Sequence, residues 1–108
     1  MSGLNDNAGV LHWDVIWDPV KAQSNIGKHG VTFVQAAGVL QDALALTVFD
    51  GAHSEFEERW FTLGRSGDGK LLAVSHTYQH TGSTDVTVRI ISAREATRRE
   101  RQQYENNH

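Results

Sequence analysis

Val86, Thr87, Val88, Ile90 and Ile91 crowd β-branched side chains into one short run, and the chain leaves that run through Ser92, Ala93 and Arg94 with no glycine or proline to turn it. β-Branched residues suit a pleated, half-buried surface, so the run reads as a strand. Ser92 with Glu95 has the S-x-x-E spacing of a capping box, in which each side chain satisfies a backbone N–H that helix geometry leaves unpaired. The stretch from there to Tyr104 therefore reads as a helix. Arg89 falls inside the strand and Arg94 at the joint, which puts two guanidinium groups on rigid backbone, an arrangement suited to phosphate. A guanidinium beside Ile90 and Ile91 needs an acidic partner or a ligand, because burying it unpaired is costly.

The preceding chain supplies what this strand packs against. His12 to Trp17 alternates as a short strand. Asp18 is a good N-cap and Pro19 suits the first helical position, so a helix runs to about Lys28 and stops at Gly30. Thr32 and Gln35 form a second capping box, and Phe33, Ala36, Ala37 and Leu40 repeat on one face of the helix that follows. Leu44 to Phe49 is apolar and partly β-branched. Glu58 to Gly64 and Leu71 to Tyr78 read as strands joined by the glycine-rich hairpin Arg65 to Lys70, and Gln79 to Asp85 turns the chain into the strand with Arg89. Tight hairpins join only antiparallel neighbours, so the expected fold is α+β. It has an antiparallel sheet of four to five strands, two N-terminal helices and one C-terminal helix. Residues 1–10 are small and polar and are expected to be disordered, leaving a single domain over residues 11–105.

The chain carries no cysteine, which removes disulfides and thiolate metal sites, and nothing requires an oxidising compartment. The N-terminus lacks the pattern of a signal peptide, and no stretch approaches the roughly 20 apolar residues that span a bilayer. A cytoplasmic protein without membrane partners is expected. The net charge of −3 hides an asymmetry: residues 1–58 sum to −6 and residues 59–108 to +3. A fold that gathers the C-terminal arginines on one face makes a phosphate-binding patch despite the acidic total.

Several motifs have structural as well as functional readings. Lys28 and His29 end a helix, where cations meet the dipole favourably, yet they also offer a compact charge and a titratable group to a phosphate. Glu58 and Arg59 follow His53, Ser54 and Glu57 at a loop-to-strand boundary, where solvated charge is common. His76 and His80 span a strand end and a turn, without a third ligand at a recognised spacing, so no metal and no cofactor is assigned. His76 shares a strand face with Leu72, Val74 and Tyr78 and is expected at the sheet surface, lining a cleft. The glycines at 64, 67 and 69 join two strands, whereas phosphate-cradling loops precede helices. Arg98, Arg99 and Arg101 suit a solvated helix face in which Glu95 pairs with Arg98 or Arg99.

Three blocks taken together resemble the BrnT family of bacterial type II toxin–antitoxin pairs: Ile16 to Ala22 with Asn25, Lys28-His29-Gly30-Val31 and Phe33; His53-Ser54 with Glu57 to Trp60; and Arg89 to Arg94 with Ala96 to Glu100 and Tyr104. The resemblance implies a RelE-like fold and ribonuclease activity that blocks translation. It also implies a complex with a BrnA-like ribbon-helix-helix antitoxin, through which alone the pair reaches operator DNA, as a homodimer or a heterotetramer with that antitoxin. In metal-independent cleavage the substrate's own 2′-hydroxyl attacks the phosphate, which needs a base, cations on the phosphorane and an acid for the leaving oxygen. Arg89 and Arg94 are assigned to transition-state charge, Arg59 to phosphate positioning, His29 or Glu58 to proton transfer, Lys28 to a further phosphate contact, and Arg98 and Arg99 to RNA contacts, with Tyr78 as a stacking surface. The alternative is a catalytically weak module acting mainly as antitoxin partner and co-repressor.

Overall fold

A computed structural model describes residues 12–107. The expected disorder of residues 1–10 lies outside that range. The element order is β1 (His12–Ile16), α1 (Pro19–His29), α2 (Phe33–Val39), β2 (Leu46–Phe49), a 3-10 turn (Gly51–His53), β3 (Arg59–Arg65), β4 (Leu71–Thr77), β5 (Gln79–His80), β6 (Asp85–Glu95) and α3 (Arg98–Asn106). The strands form one sheet in the order β1-β6-β4-β3-β2, with β5 pairing to β6 off this path. The meander β2 to β6 is antiparallel, as its short turns require. β1 pairs parallel to β6, with Val15 beside Val88 and Ile16 beside Arg89, so the sheet is mixed. The two helices and the whole meander separate β1 from β6 in sequence, which leaves its direction free of any hairpin constraint.

Local signals set the helix ends. The Asp18 carboxylate accepts from Val20 N–H at 2.8 Å, and Gly30, at φ 67°, closes α1 with its N–H on the Ile26 carbonyl. Thr32 and Gln35 cap α2 reciprocally. The last helix departs from expectation: β6 continues through Ser92 to Glu95, pairing Glu95 with Leu72, and the box that starts α3 is Thr97 with Glu100. Two S/T-x-x-E boxes compete in this sequence, and cross-strand pairing with β4 decides between them. Glu95, being in the strand, cannot make the helical pairing with Arg98 or Arg99.

Three layers result. Phe33, Ala36 and Val39 of α2, with Val31, pack on Leu72, Val74, Ile90 and Ala93 of the sheet, and Trp17 meets Phe33 edge to face. On the opposite face Tyr104 of α3 packs with Leu63, Leu71 and Ala73. Asp42 links the layers: its carboxylate accepts from the Tyr104 hydroxyl at 2.6 Å and from Arg65 N–H at 2.8 Å. β1 flanks β6 only as far as Arg89. Beyond it the buried Asn25 of α1 serves as the missing strand, accepting from Ala93 N–H at 3.1 Å and donating to the carbonyls of Ala93 and Val31 at 2.8 and 2.9 Å.

His76 is fully buried, contrary to its expected surface position, because Trp60 and Ile90 flank it and Tyr78 packs against its ring. Its Nε2 lies 2.7 Å from the Thr62 hydroxyl, which in turn lies 2.8 Å from the Thr47 hydroxyl. Burial pushes the imidazole pKa below its usual 6.5.

Two outcomes follow from these buried polar groups. Asn25→Ala strands Ala93 N–H and two carbonyls, and urea denaturation is expected to show a loss of about 3 kcal/mol; an unchanged midpoint would show that water replaces the amide. His76 stays neutral when folded but takes up a proton near pH 6.5 when unfolded, so stability declines as pH falls from about 6.5 towards the depressed folded value. Denaturation midpoints at pH 7.5 and 5.5 should differ less in His76→Gln than in the parent chain.

Candidate nucleic-acid interface

Alternation along the strands decides which charged groups meet. Arg59 opens β3 opposite Thr77 of β4, and the Arg89 N–H of β6 reaches the Thr77 hydroxyl at 3.4 Å, so both arginines stand at one end of the face that carries α3. Glu57, two residues before Arg59, shares its face. One Arg89 Nη2 lies 2.6 Å from each Glu57 oxygen, and an Arg59 Nη2 lies 3.8 Å from the same carboxylate. Ser54 fixes the approach to β3: its hydroxyl donates to the Asp50 carbonyl at 2.6 Å and accepts from Arg59 N–H at 3.0 Å. The hydrogen bond from Arg89 holds the Glu57 carboxyl below the usual carboxylate range, with the charges of Arg89, Arg59 and Lys21 acting in the same sense against a raising effect of burial. The Arg89 and Glu57 side chains are 33% and 42% exposed, so an incoming anion can reach the pair.

A cleft of about 320 Å³ is lined by Glu57 and Arg89 of this cluster with Glu58, Thr77, Tyr78 and Thr87, and Arg59 lines a second with Glu57 and His53. A third, of about 230 Å³, lies where α1 meets β6 and is lined by Lys21, Ser24, Lys28 and His29 opposite Ser92. Lys21, Ser24 and Lys28 fall on one helical face. Lys21 lines this cleft, and its charge is also one of those that lower the Glu57 pKa.

The other arginines stand apart. Arg94 is five residues beyond Arg89, roughly 15 Å along the strand. Its guanidinium pairs in two places with Glu100, at 2.8 and 3.0 Å, and lies 5.8 Å from the centre of the Phe61 ring. That hydrogen bonding raises the Arg94 pKa and lowers Glu100 to about 2. Arg98 and Arg99 are exposed on the first turn of α3. Of the residues singled out in the sequence, Arg89, Glu58 and Tyr78 line one cleft, Arg59 reaches Glu57 from the cleft beside it, Lys28 and His29 line the one where α1 meets β6, and Arg94, Arg98 and Arg99 stand at the start of α3. Sequence reasoning missed Glu57 and Lys21. The parity that places Glu57 with Arg59, and Glu58 with Trp60, was the signal available.

A family model described as "Ribonuclease toxin, BrnT, of type II toxin-antitoxin system" matches residues 17–100, which include Arg59, Arg89 and Arg94 and the charged residues that line these clefts. The chain belongs to the BrnT family. The crystal structure of the Brucella abortus ribonuclease toxin BrnT is similar to it, with a TM-score of 0.55 and 27% sequence identity over 81% of this chain and the whole of that one. No curated protein matches. Membership makes the chain a ribonuclease toxin with an antitoxin partner, and its three helices on a mixed sheet agree with the BrnT structure. Among the described residues no helix is long and apolar enough to cross a membrane.

Proposed function

We propose that this BrnT-family chain cleaves RNA without a metal, by attack of the substrate's 2′-hydroxyl on the adjacent phosphate, and so inhibits translation. The observation that carries the reading is one exposed carboxylate, Glu57, held between two guanidiniums from different strands at the rim of the cleft that Arg89 lines. A phosphate entering the cleft competes with Glu57 for Arg89. Once displaced, Glu57 loses the hydrogen bond that depresses its pKa and becomes the stronger base beside the 2′-hydroxyl. Arg89 and Arg59 then face the charge that grows on the phosphorane oxygens. Glu58 is the second carboxylate in the same cleft, and the imidazole of His29, in the adjoining one, suits protonation of the leaving 5′-oxygen. Lys28 and Lys21 hold the neighbouring phosphate, Tyr78 offers a stacking surface, and Arg94, Arg98 and Arg99 extend the cationic face towards α3.

A second reading, antitoxin binding as the main role, draws on a different place. A cleft of about 560 Å³ between β2 and α3 is walled by Leu46, Val48, Phe61 and Leu63, and β2 is an edge strand with Val48 58% exposed. Such an edge suits an added strand or helix from a BrnA-like antitoxin, through which the pair reaches operator DNA and assembles as a heterotetramer.

Expression in bacteria without an antitoxin separates the two. Arrested growth with mRNA cleavage supports the nuclease; unaffected growth with folded protein supports the binding role. Arg89→Ala is expected to lower RNA cleavage on the order of a hundredfold, with circular dichroism unchanged and EDTA without effect on the parent activity. Glu57→Gln keeps a hydrogen-bonding group beside Arg89 but removes the competing charge and the base. It should bind an uncleavable 2′-O-methyl RNA at least as tightly as the parent and cleave ordinary RNA about a hundredfold more slowly. Full activity in either variant would reject its assigned role.

A further inference from the structure

An aromatic cleft shares a wall with the phosphate centre. Trp13 of β1, Trp60 of β3, Tyr78, His80 and Val86 wall a space of about 270 Å³ on the other side of Tyr78 from Arg89, with Glu58 at its border. The rings form a row across the sheet in which each meets the next edge to face: Trp13 to Tyr78 at 5.6 Å, Tyr78 to Trp60 at 5.4 Å and Trp60 to Phe49 at 5.3 Å. His76 stiffens the row from beneath, 4.9 Å from Tyr78. Trp13 and Phe49, at its two ends, are each half exposed, which leaves flat apolar surface in water. Glu58 and Tyr78 line both this cleft and the one that holds Arg89. A cationic centre therefore adjoins an aromatic platform across a single shared wall.

A ligand that fills both at once carries an anion beside a flat ring, and a nucleotide within a single strand has that layout. We propose that the aromatic cleft receives the unpaired base next to the phosphate bound by Arg89 and Arg59, stacked on the exposed part of Trp13. The proposal rests on the RNA reading of the phosphate centre. Every base has a face to stack, so the subsite selects single-stranded over paired RNA before it selects any sequence. A base held there also fixes the sugar between it and the phosphate, and so the direction from which its 2′-hydroxyl meets Glu57.

The test uses the full chain and two fluorescent oligomers of equal length, both with 2′-O-methyl sugars so that neither is cleaved: one carries bases, the other is abasic throughout. Binding is read by anisotropy. Trp13→Ala should bind the base-bearing oligomer about tenfold more weakly and the abasic one as the parent does, and Trp13→Phe should restore most of the loss. Arg89→Ala should weaken both oligomers alike. If Trp13→Ala leaves the base-bearing oligomer unaffected, or weakens both equally, the base subsite is rejected while an Arg89 effect still upholds the phosphate centre. Arg89→Ala binding both oligomers as the parent does would reject the phosphate centre and the subsite with it. Weakened capture of the antitoxin by Trp13→Ala, with RNA binding unchanged, would make the cleft a protein contact and overturn the proposal.

Discussion

A strand that carries charged side chains to a surface must have both of its edges satisfied, and β6 has too short a neighbour to manage this with strands alone. β4 and β5 pair along one edge and β1 along half of the other; beyond β1 the Asn25 amide serves Ala93 by copying the donor and acceptor of a peptide group. The same amide fixes the position of α1 on the sheet, because its third hydrogen bond goes to Val31 at the start of the next helix. Lys21 and Lys28 ride on that helix on either side of Asn25. The placement of these lysines along β6 is thus a consequence of how an open strand edge is closed, and their cleft inherits its geometry from the core.

The two arginine–glutamate pairs differ in how readily they can be exchanged. Glu100 belongs to the capping box of α3 while it holds Arg94 in two places, and its carboxyl at about 2 reflects both sets of hydrogen bonds. Releasing Arg94 would also disturb the start of a helix. Glu57 caps no helix: it extends from the segment before β3, and its carboxylate meets the guanidiniums of Arg89 and Arg59 at the surface. Exposed ion pairs contribute little to stability, so a phosphate that offers more charge can replace this carboxylate at small cost. Glu57 keeps the guanidiniums paired until then, which reconciles an arginine flanked by isoleucines with a stable apo protein.

Local chemistry was legible in the sequence, and pairing between distant segments was not. Asp18, the Thr32–Gln35 box and Gly30 act where their residue types suggest, because a cap needs only its own neighbours. The glycine-rich turn fixed β3 against β4 for the same reason. Ser92 with Glu95 offered an equally good local signal, and the ladder from β4 overrode it, since continuing β6 hydrogen-bonds more backbone than starting a helix early. The direction of β1 and the burial of His76 depended on partners far away in sequence. Two of the arginines assigned to one site, Arg59 and Arg89, do converge, whereas Arg94 shares their face and not their cleft. Glu57 was legible by strand parity, yet an acidic residue beside arginines invites dismissal as solvated charge.

An acidic protein can still bind a polyanion if many of its carboxylates are held elsewhere and the one among its arginines, Glu57, is exposed and exchangeable. In the N-terminal half Asp18 caps α1, Asp42 binds Tyr104 and the β3 backbone, and Asp50 pairs with His53. Each is held to a turn or helix end by local geometry and contributes its charge there. Arg59 and Arg89, by contrast, stand together at one end of the sheet, a register shift in β6 brings Arg94 to the same face, and the lysines of α1 line the cleft where that helix meets β6. With screening over about 8–10 Å at physiological salt, a polyanion approaching that side responds mainly to the nearest cations. The formal sum of −3 therefore constrains long-range attraction and leaves short-range binding to the arrangement of Lys21, Lys28, Arg59 and Arg89 around the clefts.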